Sequence, residues 1–536
     1  MDLKILGISQ HHNSSVCLIE DGDIKLHLDD ERVSGIKRNT DSFTALDCIH
    51  DDLDHVCVSG FSRGAPYNRN YKDYLIGKGK NFKYYDVCSK HHLFHASGSF
   101  YNSGFQKALC IVIDGMGSDY YLNRNLYENP FKEPFSEGTY GREQRSSFVA
   151  EYPCQFTEIH KDIVVNFPYE DKHGHVNVSN HISEALMFEL TCLKLGFNPL
   201  DAGKIMSLAA YGKKKDLHLI GNKNLCNLSN LRDVKFNDDV EVDNDFCFEL
   251  QKQSQESVLN YIKSMVEKTG IKKVCLSGGY FLNCVANNYI RENLDAEIYV
   301  EPIANDSGQS LGIAKYFWHS LTEDKTIRKQ KSIYYGLNRQ YQKEEIENEF
   351  SMYDVKKSNI KEVAYLIKEY NLVGVFGNRS ESGPRALGNR SLLYNPTDPT
   401  GRDKVNEVKK RESFRPFACS ILEDKLNEYF STDIKKSPYM MYAIKSISDK
   451  IPAVLHVDNT CRLQTVSEND NKYLYSVIKS FEELTNIPLV LNTSFNLAGK
   501  PIVETLGDIK FTLKNSKLNH VYFYDSQMLV SKKLNQ

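Results

Sequence analysis

The sequence predicts a mixed α/β protein made of two domains, and three observations carry that prediction. Short apolar runs recur along the chain and stop at turns rich in glycine and aspartate. Segments with apolar residues three and four positions apart alternate with these runs, the mark of helices between strands. At 536 residues the chain is also too long for a single hydrophobic core.

Taken in order, residues 3–9 and 15–20 read as strands, and Asp21-Gly22-Asp23 turns the chain into a third at 24–28, a hairpin opening. The run 109–113 is continuously apolar and stops at Asp114-Gly115-Met116-Gly117. Residues 120–150 are polar, aromatic and dotted with glycine, which predicts a loop-rich insertion. A helix is expected at 183–195 and another at 257–268, where Val258, Ile262, Met265 and Val266 share a face and Gly270 offers a C-cap. Residues 274–276 form a buried strand feeding Ser277-Gly278-Gly279. The charged stretch TEDKTIRKQKS at 322–332 is the expected linker, giving domains at 1–325 and 333–536. Beyond it a second α/β unit begins with a helix at 360–369 and a strand at 372–376. No repeat of solenoid length and no low-complexity tract interrupts the pattern.

Composition narrows the class. Hydrophobic content of 41% and charged content of 26% are ordinary for a globular protein. A net charge of −3 and a pI near 6.6 argue against non-specific nucleic-acid binding, which needs broad phosphate neutralisation. Residues 1–18 lack a charged segment followed by a long apolar core, so no signal peptide is expected. No window approaches a membrane span, and the expectation is a cytoplasmic protein. The 13 cysteines are scattered, without a CxxC, which reads as reduced core thiols.

The densest chemistry lies at 374–415. Arg379, Arg385, Arg390, Arg402, Lys404, Lys409, Lys410, Arg411 and Arg415 set nine basic residues there against five acidic ones, in a chain slightly acidic overall. They stand among glycines and small polar residues, as in SGPRALGNRS, rather than alternating with glutamates. Glycine turns expose backbone N–H groups and guanidinium forks grip phosphate oxygens in pairs, which favours a pocket for a phosphorylated small molecule over a surface loop region with ion pairs. Ser494-Phe495-Asn496 adds a hydroxyl and an amide suited to completing it.

Three further constellations lie in the first 320 residues. His91 and His95, one helical turn apart, can face one ion, and Asp114 and Asp306 each follow an apolar strand. An HxxxH pair alone equally fits a polar helix face; the two carboxylates favour the metal. Two imidazoles with carboxylates suit iron(II), with zinc and manganese as alternatives. The second constellation is a set of glycine turns: Asp114-Gly115-Met116-Gly117, Asp201-Ala202-Gly203-Lys204, Ser277-Gly278-Gly279 and Asn305-Asp306-Ser307-Gly308. Each sits where a strand gives way to a helix and can aim amides at a nucleotide phosphate. With the hairpin they follow the layout of the actin-like ATPase superfamily, and no GxxxxGK[ST] is present. Third, His12 in Gln10-His11-His12-Asn13-Ser14 ends the first strand, with Lys37 downstream. His12 is a candidate base toward a hydroxyl, or equally a hydrogen-bonded turn histidine.

Together these motifs resemble the O-carbamoyltransferase family of nodulation-factor, cephamycin and aminoglycoside biosynthesis, nearly end to end. The match runs through HHNSSVCLIEDG, HHLFHASGSFYNSGF, IDGMG, LDAGKIMSLAAYG, LSGGYFLNCVANN, EPIANDSGQSLGIA, SGPRALGNRSLL, RESFRPFA, HVDNTCRLQTV and NTSFNLAGKPIV. The resemblance implies an N-terminal actin-like domain similar to a threonylcarbamoyl transferase, and a C-terminal domain similar to carbamoyl-adenylate synthases. It implies His91, His95, Asp114 and Asp306 as ligands of a divalent metal, iron first. It implies Arg385, Arg390, Lys409, Arg411, Arg415, Arg462, Gln464, Ser494 and Asn496 as the carbamoyl phosphate and adenylate pocket. Gly115, Gly117, Gly203, Lys204, Gly278, Gly279 and Asn283 are implied nucleotide contacts, and His12, Lys37, Lys409 and Arg415 are the catalytic candidates. The sequence departs at His11-His12-Asn13, where the family has Tyr-His-Asp, at Asp30-Glu31-Arg32 for Glu-Glu-Arg, at Lys37-Arg38 for Lys-His, and at Met206-Ser207 for Met-Gly.

The implied reaction makes carbamoyl adenylate from carbamoyl phosphate and ATP and passes the carbamoyl group to a hydroxyl of a natural product or sugar. Tyr120, Tyr121, Tyr152, Phe156, His160, His173 and His175 are expected to shape the acceptor site. The expected partners are that acceptor, ATP and carbamoyl phosphate, with neither nucleic acid nor membrane and with a homodimer left open. Two rivals are a threonylcarbamoyl-type tRNA-modifying enzyme and a non-catalytic nucleotide-binding module. The first lacks a basic RNA-binding extension, and the second leaves the arginine-rich pocket without a use.

Overall fold

The structure is a computed structural model that describes residues 3–60, 70–87, 90–122, 139–165, 170–221, 226–227, 235–236 and 240–533. They fall into two compact units, Met1–Asp30 with Arg38–Lys331, and Glu31–Lys37 with Ser332–Gln536. The short segment 31–37 thus groups with the second unit, whereas the sequence expectation left it in the first. Its anchor is Arg32, whose guanidinium donates to the Gly383 carbonyl at 2.9 Å.

The first unit is built on two sheets. One has five strands in the order Asp23–Asp29, Ser15–Glu20, Lys4–Gln10, His55–Gly60 and Lys83–Asp86, the first three antiparallel and the last two parallel to Lys4–Gln10. In the other, Lys107–Ile113 lies between the antiparallel Thr139–Glu151 and the parallel Lys273–Ser277. Two helices, His91–Ser103 and Gly308–Thr322, pack against each other; the second also packs on Lys4–Gln10 and the first on Lys107–Ile113. Small residues make this contact close. A Cβ at Gly312 would come within 1.9 Å of the Phe94 carbonyl, and one at Gly7 within 2.2 Å of the Ser310 carbonyl. The first unit is thus a mixed α/β fold in which two helices pack against two sheets, with the glycine turns at strand ends.

Two elements differ from expectation. Residues 139–151, expected as loop, form a long strand paired with Gln155–Val164. Glu143, Ser146 and Ser147 are all buried along it, so buried polar residues take places where a hydrophobic reading looks for apolar ones. The helix expected at 257–268 runs from Asn244 to Thr269, because Asp243 caps it by accepting from the Phe246 amide at 2.8 Å. Gly270 closes it with φ +69°.

The second unit is a nine-stranded mixed sheet. Strands Val373–Phe376, Arg390–Tyr394, Leu489–Ser494, Ala418–Leu422 and Thr460–Val466 lie side by side at its centre. Helices Ile360–Lys368 and Lys472–Thr485 cover it, burying Val363, Ile367, Leu474, Val477, Ile478 and Phe481. Among the described residues no helix is long and apolar enough to cross a membrane, and no cysteine is in a disulfide.

Candidate metal centre and anion pocket

In the first unit the structure brings His91, His95, Asp114 and Asp306 together, one ligand atom from each lying within 4.8 Å of all the others. His91 opens its helix and His95 follows one turn later; Asp114 ends the strand Lys107–Ile113, and Asp306 precedes the helix Gly308–Thr322. His91 Nε2 is 2.9 Å from Asp114 Oδ2 and 3.3 Å from Asp306 Oδ1. His95 Nε2 is 3.3 Å from Asp306 Oδ1 and 3.2 Å from His91 Nε2. Ligands about 2.0–2.2 Å from one ion stand about 2.8–3.6 Å apart at neighbouring positions of tetrahedral or octahedral geometry, and about 4.0–4.4 Å apart across an octahedron. The spacing and the two-nitrogen, two-oxygen donor set therefore fit a divalent metal.

The surroundings support that set. Asp114 Oδ1 accepts from the Gly279 amide at 3.0 Å, which gives the Ser277-Gly278-Gly279 turn its role here. Gly278 has φ +96°, and a Cβ on it would meet the Ile113 carbonyl at 2.3 Å. Burial alone would neutralise the carboxylates, yet His12 and His91 hold Asp306 well below the usual range. Burial would likewise suppress the His91 imidazolium, but Asp306 and Asp114 outweigh it and raise the group to about 10. His12, partly exposed, is held by Asp306 Oδ2 at 2.8 Å from its Nδ1, and its basicity is raised against burial by that carboxylate.

Two residues of this centre had no sequence signal. Gln309 Nε2 lies 3.0 Å from His91 and 3.2 Å from Asp306 Oδ1. Glu189, on the helix Glu184–Lys194, presses on Gly115 so closely that a Cβ there would meet its Oε1 at 1.8 Å. Burial and the nearby Asp114 push Glu189 up to about 8. Of the other glycine-turn candidates, Gly117 donates to the Glu143 carbonyl at 2.7 Å. Gly203 starts a helix, and Lys204 pairs with Asp201 at 3.0 Å. Asn283 caps the helix Cys284–Asn293 and bonds to Gln251, which is a scaffolding position.

Several of the aromatic and histidine residues expected to shape an acceptor site have partners within the first unit. Tyr152 and Phe156 pack against Phe100 and Tyr101 in the core beside the helix His91–Ser103. Tyr120 accepts from Lys161 Nζ at 2.6 Å inside a buried ion cluster. His160 sits on Asp162 at 3.1 Å and His175 on Glu158 at 2.8 Å. The side chains of Tyr121 and His173 lie outside the described residues.

The second unit holds the basic cluster. Lys409, 3% exposed, ends the helix Gly401–Lys409 and donates to Ser494 Oγ at 3.1 Å and Asn496 Oδ1 at 3.0 Å. Arg411 is oriented by Asn406 at 2.6 Å and the Pro416 carbonyl at 2.9 Å, with its plane 4.3 Å above the Phe417 ring. Burial and the charges of Arg411, Arg415 and Lys37 push the Lys409 ammonium well below its usual range. Burial, Arg415 and Arg462 do the same to Arg411. Five cations thus crowd one another, and Glu412, 3.6 Å from Arg415, partly offsets them. Lys37, expected with His12, belongs to this group.

Two expected pocket residues are engaged in the scaffold. Arg390 is fully buried, donates to the carbonyls of Gly377, Asn389 and Asn378, and lies 3.7 Å above the Phe376 ring. Gln464 is buried between Ser420, Asn492 and the Leu387 carbonyl. Arg385 rises at the tip of the turn that Gln464 holds, two residues from that carbonyl, and is partly exposed.

Comparison with known proteins places both units in one context. The family model for the carbamoyltransferase N-terminus matches residues 63–315, and that for the carbamoyltransferase C-terminus matches 364–532. The uncharacterized protein MJ1058 of Methanocaldococcus jannaschii is 32% identical over 461 residues, covering 78% of this chain and 70% of its own. The nodulation protein NolO of Bradyrhizobium diazoefficiens is 30% identical, covering 80% of this chain and 76% of its own. Among solved structures, T. kodakarensis HypF shows a distant likeness at 11% identity and a TM-score of 0.38, covering 61% of this chain and 50% of that one.

Proposed function

The chain belongs to the carbamoyltransferase family, and we propose that it makes its own activated donor before transferring it. Carbamoyl phosphate loses phosphate to water, and the carbamate oxygen attacks the α-phosphorus of ATP. Pyrophosphate leaves and carbamoyl adenylate remains. The observation that carries this reading is the crowd of Lys37, Arg415 and Arg462 around the buried Lys409 and part-buried Arg411, beside Glu412. Buried like charges are costly unless an anion neutralises them, and phosphoryl transfer is accelerated chiefly by such preplaced charge. Lys409, fixed by Ser494 and Asn496, and Arg411, fixed by Asn406, meet the phosphates without reorganising; Arg385, Arg415 and Arg462 supply further forks.

Transfer belongs to the first unit. His91, His95, Asp114 and Asp306 would hold one divalent ion, iron(II) first, which when bound supplies Lewis-acid stabilisation of negative charge. His12, steadied by Asp306, takes the proton of the acceptor hydroxyl as its oxygen attacks the carbamoyl carbon. The products are a carbamate ester and AMP, and the acceptor is a small hydroxylated molecule such as a sugar or natural product.

The test is exchange of labelled pyrophosphate into ATP. Exchange that requires carbamoyl phosphate is the expected result. Exchange that ignores it, or that demands threonine and bicarbonate instead, overturns the reading.

A further inference from the structure

Arg32 stands outside both sites described so far, and its chemistry is not that of a surface arginine. It lies in the short helix Asp30–Ser34 and is 4% exposed. Its Nη2 donates to the Gly383 carbonyl at 2.9 Å and, more weakly, to that of Glu381 at 3.4 Å. Its Nε and Nη1 have no hydrogen-bond partner among the described residues. The fully buried Glu504 carboxylate, 3.6 Å from Arg390, also feels the charge of Arg32.

A buried guanidinium is retained where its geometry is needed, since an apolar residue of similar size fills such space at less cost. The position of its acceptors says what is needed. Gly383 has φ +83° and stands two residues before Arg385. On the far side of Arg385, the Leu387 carbonyl accepts from Tyr334, Gln464 and Asn471, and the Leu387 amide donates to Glu381 Oε1. The turn is therefore held firmly after Arg385 and by Arg32 before it. Glu504 closes the strand-end segment that begins at Ser494 and Asn496, so one guanidinium faces the two stretches that supply Arg385 and the Ser-x-Asn pair.

We infer that Arg32 is a positioning residue of the anion pocket, which sets the Gly383 turn so that Arg385 meets the phosphate of carbamoyl phosphate. This rests on the adenylation reading above. No group of Arg32 touches the reacting atoms; it acts through Arg385.

Carbamoyl-phosphate-dependent pyrophosphate exchange tests this with Arg32→Ala, Arg32→Lys and the pair Arg32→Ala, Arg385→Ala. Arg32→Ala should raise KM for carbamoyl phosphate about tenfold or more while KM for ATP moves less than threefold. Arg32→Lys should recover part of that loss, since one ammonium reaches the Gly383 carbonyl, and low millimolar guanidinium should partly rescue Arg32→Ala. In the double variant, removing Arg32 should add nothing to the loss from Arg385→Ala. Unchanged KM in Arg32→Ala, or full additivity in the double variant, overturns the assignment. If Arg32→Ala does not fold, Arg32→Lys decides: a KM shift confined to carbamoyl phosphate supports the inference, and equal shifts for both substrates overturn it. Wild-type protein without any exchange would instead remove the adenylation reading beneath it.

Discussion

At the scale of single residues, His91, His95, Asp114 and Asp306 bring one ligand atom each within 4.8 Å of the others. The histidine pair was legible in the sequence because i and i+4 share a helix face, and the aspartates because each interrupts an apolar run. Gln309 and Glu189 were not legible. A glutamine inside NDSGQS and a glutamate inside MFELTC carry no pattern until the backbone folds Gly115 under one and His91 beside the other. The same limit hid the scaffolding roles of Arg390 and Gln464, whose residue types fit a phosphate pocket as well as a sheet interior. Removing one ligand should separate binding from scaffold. His95→Ala is expected to lose the divalent ion and with it carbamoyl transfer, while pyrophosphate exchange in the second unit stays near wild type. His12→Asn should keep the ion and lower transfer by about 10²-fold, the usual contribution of a positioned base. Elemental analysis of the purified variants is the measurement, and full occupancy in His95→Ala would refute the ligand set.

At the scale of elements, the strand pair Thr139–Glu151 and Gln155–Val164 shows how a buried polar face governs both legibility and stability. Lys161, 6% exposed, donates to Glu143 at 3.0 Å, to Glu158 at 2.7 Å and to the Tyr120 hydroxyl at 2.6 Å. Glu143 also lies 3.6 Å from His92 Nδ1 and accepts from the Ser118 amide. Burial would raise the Glu143 carboxyl, but His92 and Lys161 hold it well below the ordinary range. A carboxylate depressed by folding contributes stability that is complete above its unfolded value, about 4.3, and is lost as pH falls below it. Wild-type protein should therefore lose stability progressively as pH falls from about 5 toward the depressed native value. Glu143→Gln should be less stable at pH 7, by less than the ~3–5 kcal/mol of an orphaned buried charge because Glu158 still pairs with Lys161, and should show a shallower acid limb. Thermal melts from pH 3 to 8 measure both effects. Parallel curves for the two proteins would mean that Glu143 is not the titrating group.

At the scale of the whole molecule, the two compact units hold different groupings of side chains: two histidines and two aspartates that could hold a metal in one, and a crowd of cations in the other. The two motif sets of the sequence lie in separate units, and the segment 31–37 with its Lys37 groups with the second. If each unit performs one half-reaction, a lesion in one leaves the other intact. Lys409→Ala removes an ammonium held on Ser494 and Asn496. A charge-assisted contact is worth about 1.5–3 kcal/mol, so exchange should fall by about one to two orders of magnitude. The same variant, given carbamoyl adenylate made separately, should carbamoylate a hydroxyl acceptor at close to the wild-type rate. His95→Ala should behave in the opposite way, with normal exchange and no product from the supplied adenylate. A lesion that stopped both steps would favour a single shared site, and one that stopped neither would remove its residue from the mechanism. Rates of both half-reactions in both variants, with product identified by mass spectrometry, distinguish these outcomes, because only a division of labour makes the two lesions complementary.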